Sequence, residues 1–141
     1  MSKQIIPIFF SSDDNYIPFL SVAINSLILN ASKEYNYEII ILNSGLNLDN
    51  IERISKYNGD NVKIKFEDVG PKIKNITKDL ELRLRDYYSI SIFYRMFIPS
   101  LFKEYSKAIY LDADIVLVDD ISKLYNEDIS NFLIAGVPDE V

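Results

Sequence analysis

Two aspartates stand two residues apart in Asp112-Ala113-Asp114, directly after the apolar run Ala108-Ile109-Tyr110-Leu111 and before Ile115-Val116-Leu117-Val118. In an extended segment residues i and i+2 point to the same side, so the carboxylates would share one side and Ala113 would face the other, against a sheet. Like charges aimed at one point repel unless a cation lies there. A hard, oxygen-only donor set suits Mg2+ or Mn2+ held jointly by carboxylate and phosphate. Such a cation neutralises a diphosphate leaving group as its bond to carbon breaks. The competing reading is an ordinary solvated strand end, because this spacing occurs often by chance. An acidic pair between two buried runs nevertheless needs compensation.

A second cluster, Asp13-Asp14-Asn15-Tyr16, follows the first apolar run. Asp14 either caps the helix that begins here, where the dipole favours a carboxylate, or faces a ligand. Asp13 offers an acceptor for an imide N–H and Tyr16 a face for stacking, a combination that would hold a pyrimidine such as uracil. Arg95 lies among Ile92, Phe93, Tyr94, Met96 and Phe97, the most apolar surroundings of any arginine in the chain. It cannot shed its charge, so it should reach either a carboxylate of the protein or a phosphate of a ligand. Arg83 and Arg85 read as solvated or paired with Glu81 and Asp86. Asp119, Asp120 and Asp128 read as surface or capping residues.

Other chemistries are excluded by what is missing. The sequence contains neither cysteine nor histidine. Disulfides, thiolate or imidazole metal sites, Cys nucleophiles and a His general base are therefore out of reach within these residues. No Gly-x-Gly-x-x-Gly, Walker or Gly-x-Ser-x-Gly sequence occurs, which argues against dinucleotide dehydrogenases, P-loop enzymes and α/β-hydrolases. With only four glycines in the chain, phosphate would be held by a metal more than by a backbone nest.

The elements that must position these residues follow from periodicity. Ile5 to Phe10 and Tyr37 to Leu42 are apolar with little alternation, the pattern of strands covered on both faces. Between them, Ile17, Leu20, Ile24, Leu27 and Ile28 recur at helical spacing over Tyr16 to Asn30, with Pro18 tolerated in the first turn. Asn43-Ser44-Gly45 ends the second strand. A short helix over Leu48 to Tyr57 would turn Leu48, Ile51, Ile54 and Ser55 inward, with Asn47 or Asn43 as a cap. Val62, Ile64 and Phe66 alternate with lysines, as in an edge strand. Asp68 to Asp86 is a charged, partly helical connector. Ile90 to Phe102 has helical spacing that Pro99 ends or kinks. A buried strand covers Ala108 to Leu111, Asp120 caps a helix over Ile121 to Tyr125, and Phe132 to Val137 is expected to form a last strand.

Strands alternating with helices predict a three-layer α/β domain with a mainly parallel sheet. Ligands of such sheets collect outside the carboxyl ends of the strands, where Asp13 and Asp112 should both lie. The chain has 141 residues, 48% of them apolar, enough for one core. With 21 acidic against 15 scattered basic residues and a formal charge of -6, nucleic acid is not expected as a partner. Neither a signal peptide nor a transmembrane run is legible, so a cytoplasmic protein is expected.

In order along the chain, Ile8 to Tyr16, Ser91 to Pro99, Lys107 to Leu117 and Ala135-Gly136-Val137-Pro138-Asp139 resemble the retaining glycosyltransferases of family 8. That group has the GT-A fold and includes bacterial lipopolysaccharide galactosyl- and glucosyltransferases and glycogenin. The resemblance implies transfer of hexose from a UDP-sugar, UDP-glucose or UDP-galactose, to a hydroxyl of a saccharide acceptor. It implies donor contacts at Asp13, Asn15, Tyr16, Arg95, Asp112 and Ala113. Asp13 would bond the uracil imide, Tyr16 stack on the ring, Asn15 lie near the ribose, Arg95 reach the sugar-diphosphate and Asp112 approach the donor sugar or ribose. Asp112 and Asp114 would hold Mn2+ or Mg2+.

Members of the family carry a third metal ligand, a histidine, far downstream together with acceptor-binding loops. Their absence here gives the expectation that residues 1–141 are the N-terminal, nucleotide-sugar-binding part of a truncated GT-A domain. The missing part would then carry the acceptor site and any peripheral contact with the inner face of the membrane. Two other readings stand beside this one: a nucleotidyltransferase, disfavoured because Ser11 to Tyr16 is acidic and glycine-free, and a non-catalytic nucleotide-binding module.

Overall fold

A computed structural model describes residues 3–76 and 90–136, without the side chains of 74–76 and 90–92. The connector from 77 to 89, with Arg83, Arg85, Glu81 and Asp86, lies outside the described residues, as do Val137, Pro138 and Asp139.

Four parallel strands form one sheet in the order β3-β2-β1-β4, comprising β1 (Ile5–Ser11), β2 (Asn36–Asn43), β3 (Val62–Asp68) and β4 (Ile109–Tyr110). Helix α1 (Ile17–Asn30) links β1 to β2, and α2 (Leu48–Ser55) links β2 to β3. The edge position of β3 agrees with its lysine alternation: Val62 and Ile64 are buried and Lys63 is exposed. Lys65 is ion-paired with Glu38 of the neighbouring strand.

Both faces of the sheet are covered, which explains the near-continuous apolar strands. Ile6, Ile8 and Phe10 of β1 and Ile39 and Ile41 of β2 pack with Ile17, Leu20, Ile24 and Leu27 of α1 and Ile54 of α2. The alternate residues Phe9, Ile40 and Leu42 turn to the opposite face. There they meet Val69, Ile73 of α3 (Gly70–Ile76), Tyr94 and Phe102. Each fully buried side chain of this kind contributes about 1.5–3 kcal/mol. Together these contacts make the expected three-layer α/β arrangement.

Several elements differ from the sequence expectation. Residues 132–136 form no strand, and Phe132, Leu133 and Ile134 are exposed. Their apolar pattern suits a strand, but a strand needs a neighbour to satisfy its backbone, and no described strand pairs with them. Leu48 is 81% exposed because it occupies the first position of α2, where the helix has not yet turned onto the sheet; Ile54 is its buried residue. The segment expected to be helical after Ile90 is a 3-10 helix over Ile90–Phe97, followed by α4 (Ile98–Leu101). The break falls at Pro99 as expected: the 3-10 segment ends at Phe97, and Pro99 lies in the first turn of α4, where its missing N–H costs nothing. A final turn, α5 (Ser122–Tyr125), follows Asp120 as expected. Among the described residues no helix is long and apolar enough to cross a membrane.

Candidate functional site

The chain leaves β1 for β2 on one side and later returns to place β4 on the other, so the order of strands reverses between β1 and β4. Ladders pair Ile8 with Ile109 and Phe9 with Tyr110, and the Leu111 N–H donates to the Phe9 carbonyl at 2.9 Å. The Asp13 turn and the Asp112 turn thereby emerge from adjacent strands at the same, carboxyl, end of the sheet. Open α/β sheets form their ligand crevice at such a reversal.

Asp13 organises the first turn. Its Oδ1 accepts the N–H of Asn15 at 2.9 Å and of Tyr16 at 3.2 Å, capping a 3-10 turn over Asp14–Tyr16 that runs into α1. The capping role weighed for Asp14 thus belongs to Asp13. Asp14 instead reaches the start of α2, accepting from the Asn47 N–H at 3.1 Å and from Asn50 Nδ2 at 2.8 Å. Those bonds, from Asn50 first and Asn47 second, hold its pKa below the ordinary carboxylate value. Asn47 in turn caps α2 through the Asn50 N–H. Asn43 Oδ1 accepts from Gly45 and Leu46, closing the turn after β2 at Gly45, whose φ of 102° favours glycine. Tyr16 is 46% exposed and its ring lies 5.6 Å from that of Phe19, leaving aromatic surface open beside Asn15.

On the β4 side, Arg95 Nη2 lies 3.4 Å from Asp112 Oδ1, and the guanidinium stands 4.7 Å from the ring centroid of Tyr110. Of the two partners the sequence allowed, the protein supplies the carboxylate. Tyr110 was read only as a strand residue; as the ring beneath the guanidinium it is the member of the site that sequence reasoning missed. An aromatic two residues before an acidic pair, in a chain with an arginine among apolar residues, was the available signal. Burial raises the Tyr110 phenol above its usual pKa, and Asp112 adds to the rise while Ser11 and Arg95 oppose it. Ser11 Oγ is buried without a hydrogen-bond partner among the described residues.

Asp112 and Asp114 are exposed and Ala113 is 6% exposed within the α1-side core, the sidedness expected of this spacing. The segment is a turn beyond β4 and not a continuation of it. Ala113, with its methyl in the core, can offer a ligand only its backbone. Asp114 has no hydrogen-bond or ion-pair partner among the described residues. No group of three His, Cys, Asp or Glu side chains that could hold a metal occurs among them either. Two carboxylates fit a hard divalent cation as part of its shell, with phosphate and water oxygens completing it. A hollow of about 380 Å³, lined by Tyr37, Glu38, Gly59 and Asn61 among others, sits at the opposite ends of the strands and holds none of these residues.

Residues 7–141 match the family described as glycosyl transferase family 8. A Haemophilus influenzae protein with a provisional glycosyltransferase description is 32% identical over 97% of this chain and 40% of its own length. General stress protein A of Bacillus subtilis is 30% identical over 96% of this chain and 47% of its own length. The chain therefore spans less than half the length of these relatives. Among solved structures, the bifunctional glycosyltransferase WbbM superposes with a TM-score of 0.77 at 31% identity, over 93% of this chain and 22% of WbbM. The galactosyltransferase LgtC, solved with donor and acceptor sugar analogs, gives 0.66 at 23% identity over 87% of this chain and 43% of LgtC, a likeness of fold.

Proposed function

This chain belongs to glycosyltransferase family 8, and from that premise we propose that it forms the donor-binding part of a UDP-hexose glycosyltransferase. The donor is UDP-glucose or UDP-galactose, the acceptor a hydroxyl of a saccharide, and the anomeric configuration is retained. Support comes above all from one observation: the Asp13–Tyr16 turn and the Asp112–Asp114 pair leave adjacent strands at the carboxyl end of the sheet, where the strand order reverses.

In the reaction the bond from the anomeric carbon to the diphosphate oxygen breaks, and its electron pair leaves with UDP. The acceptor oxygen bonds the same carbon and gives up its proton, which passes to the departing diphosphate or to water. Tyr16 stacks on uracil and Asp13 accepts its imide N–H. Asn15 lies beside the ribose. Arg95, with five N–H donors, can hold Asp112 and a phosphate oxygen together. Asp112 and Asp114 would hold Mn2+ or Mg2+, which supplies neutralisation of the charge on the departing diphosphate.

Acceptor binding is assigned to further parts of a longer protein, since the relatives are more than twice as long. A cytoplasmic place, with peripheral attachment to the inner face of the membrane through those parts, completes the reading.

Equilibrium binding of UDP, CTP and ADP in the presence of Mn2+ tests it. UDP should bind about tenfold or more tightly than the others, because only uracil presents an imide N–H to Asp13. Equal affinities would remove the nucleotide assignment.

A further inference from the structure

The stretch from Asp112 to Val116 is suspended between two backbone anchors. Before it, Leu111 is bonded to β1 through the Phe9 carbonyl. After it, helix α1 takes hold of the chain. The Leu117 N–H donates to Ser26 Oγ at 2.9 Å, and the Leu117 carbonyl accepts from Asn30 Nδ2 at 3.1 Å. Ser26 and Asn30 are four residues apart and so share a helix face. They give Leu117 the acceptor and donor that the opposite residue of a β-ladder would give.

Both side chains are themselves fixed. Ser26 Oγ donates to the Ala23 carbonyl at 2.8 Å, which leaves its lone pairs for Leu117. Asn30 Nδ2 also donates to the Ser26 carbonyl at 2.9 Å. Ser26 is 8% exposed on the apolar face of α1, between Ala23 and Leu27, and Leu117 is 9% exposed. A hydroxyl there forgoes apolar packing, and among the described residues only the Leu117 peptide gives it a partner outside its own helix.

We propose that Ser26 and Asn30 are positioning residues for the Asp112–Asp114 pair: by clamping the Leu117 peptide they fix the turn that carries both carboxylates. The proposal rests on the reading of that pair as a cation site. β4 ends before Asp112, so beyond the packing of Ala113 and Ile115 against the core it is the second anchor that fixes the backbone after Asp114. Misplacement of a liganding group by about 1 Å is enough to weaken a site severely.

The test compares Ser26→Ala and Asn30→Asp with the parent chain in thermal unfolding, in uridine affinity and in UDP affinity with and without Mn2+. Uridine binding should be unchanged, since the Asp13–Tyr16 turn lies at the other end of α1. The gain in UDP affinity from Mn2+ should fall about tenfold. An equal loss for uridine and UDP, indicating general loosening, overturns the proposal, and so does an unchanged Mn2+ gain. Should Ser26→Ala fail to fold, Asn30→Asp, at the half-exposed end of the clamp, carries the same comparison. If the parent chain itself gains nothing from Mn2+, the cation reading fails separately and backbone NMR decides the clamp. Amide shifts at Ala113 and Asp114 in the variants then support it, and shifts confined to Leu117 and its neighbours overturn it.

Discussion

The Arg95 guanidinium bridges two levels of the site, paired with the Asp112 carboxylate at 3.4 Å and stacked over the Tyr110 ring at 4.7 Å. Tyr110 belongs to β4 and Asp112 to the turn that follows it, so one arginine links the end of the sheet to the acidic pair. Its side chain is 41% exposed and that of Asp112 56%, which makes the ion pair a weak source of stability.

Arg95→Lys should therefore change unfolding free energy by less than about 1 kcal/mol. UDP affinity should drop about tenfold, because an ammonium cannot stack on Tyr110 while reaching both a carboxylate and a phosphate. Denaturant unfolding and calorimetry on the same samples separate the two. A large loss of stability with unaltered UDP binding would make Arg95 a structural residue.

Asp114→Asn removes an exposed carboxylate with no protein partner among the described residues. Folding should be nearly intact. The Mn2+-dependent part of UDP binding should fall ten- to a hundredfold, about 1.5–3 kcal/mol. Affinity retained within about a factor of two would show that Asp114 is not a ligand.

Tyr16→Ala should weaken uridine and UDP equally, by about 1–3 kcal/mol, since stacking on the base takes no account of the phosphates. Tyr16 is half-exposed and, among the described residues, its one aromatic neighbour is the Phe19 ring, so the fold should lose little. Unaltered uridine affinity would return Tyr16 to the surface.

A pH dependence of stability follows from Asp120, away from the site. Burial alone would raise its pKa, but hydrogen bonds from Ser122 and Tyr37 outweigh this and hold it below the ordinary carboxylate range. A depressed folded-state pKa stabilises the protein above the unfolded value of about 3.9, and that stability is lost as pH falls through the folded value. Asp120→Asn should lower Tm at pH 7 and narrow the gap to the parent chain toward pH 3. A gap constant from pH 7 to pH 3 would assign the effect to packing.

Sequence pattern revealed the frame more readily than the contacts. Ile6, Ile8 and Phe10 against Phe9 read as one unbroken apolar run because each parity has its own core to fill, and that signature survives in the residue order. The exposure of Asp112 and Asp114 and the burial of Ala113 match the expected sidedness, but a turn beyond β4 produces it and not the strand alternation from which it was inferred. Which of two adjacent aspartates caps the turn depends on a backbone bend that either could serve, and Asp13 takes it. Arg95 needed some anion; only the return of β4 beside β1 decides that Asp112 is there. Phe132 to Val137 has strand composition, but pairing is a property of neighbours, and residues 132–136 meet no described strand.

The central claim is that nucleotide and cation share one site, held by few protein oxygens. If Asp112 and Asp114 bind Mn2+ only weakly on their own and the diphosphate completes its shell, each ligand must raise the affinity of the other by the same factor. Calorimetric titration of UDP into this chain with and without Mn2+, and of Mn2+ with and without UDP, measures that factor in both directions. The account predicts a matched increase of about tenfold or more in each; UDP binding of equal strength with and without the metal would contradict it.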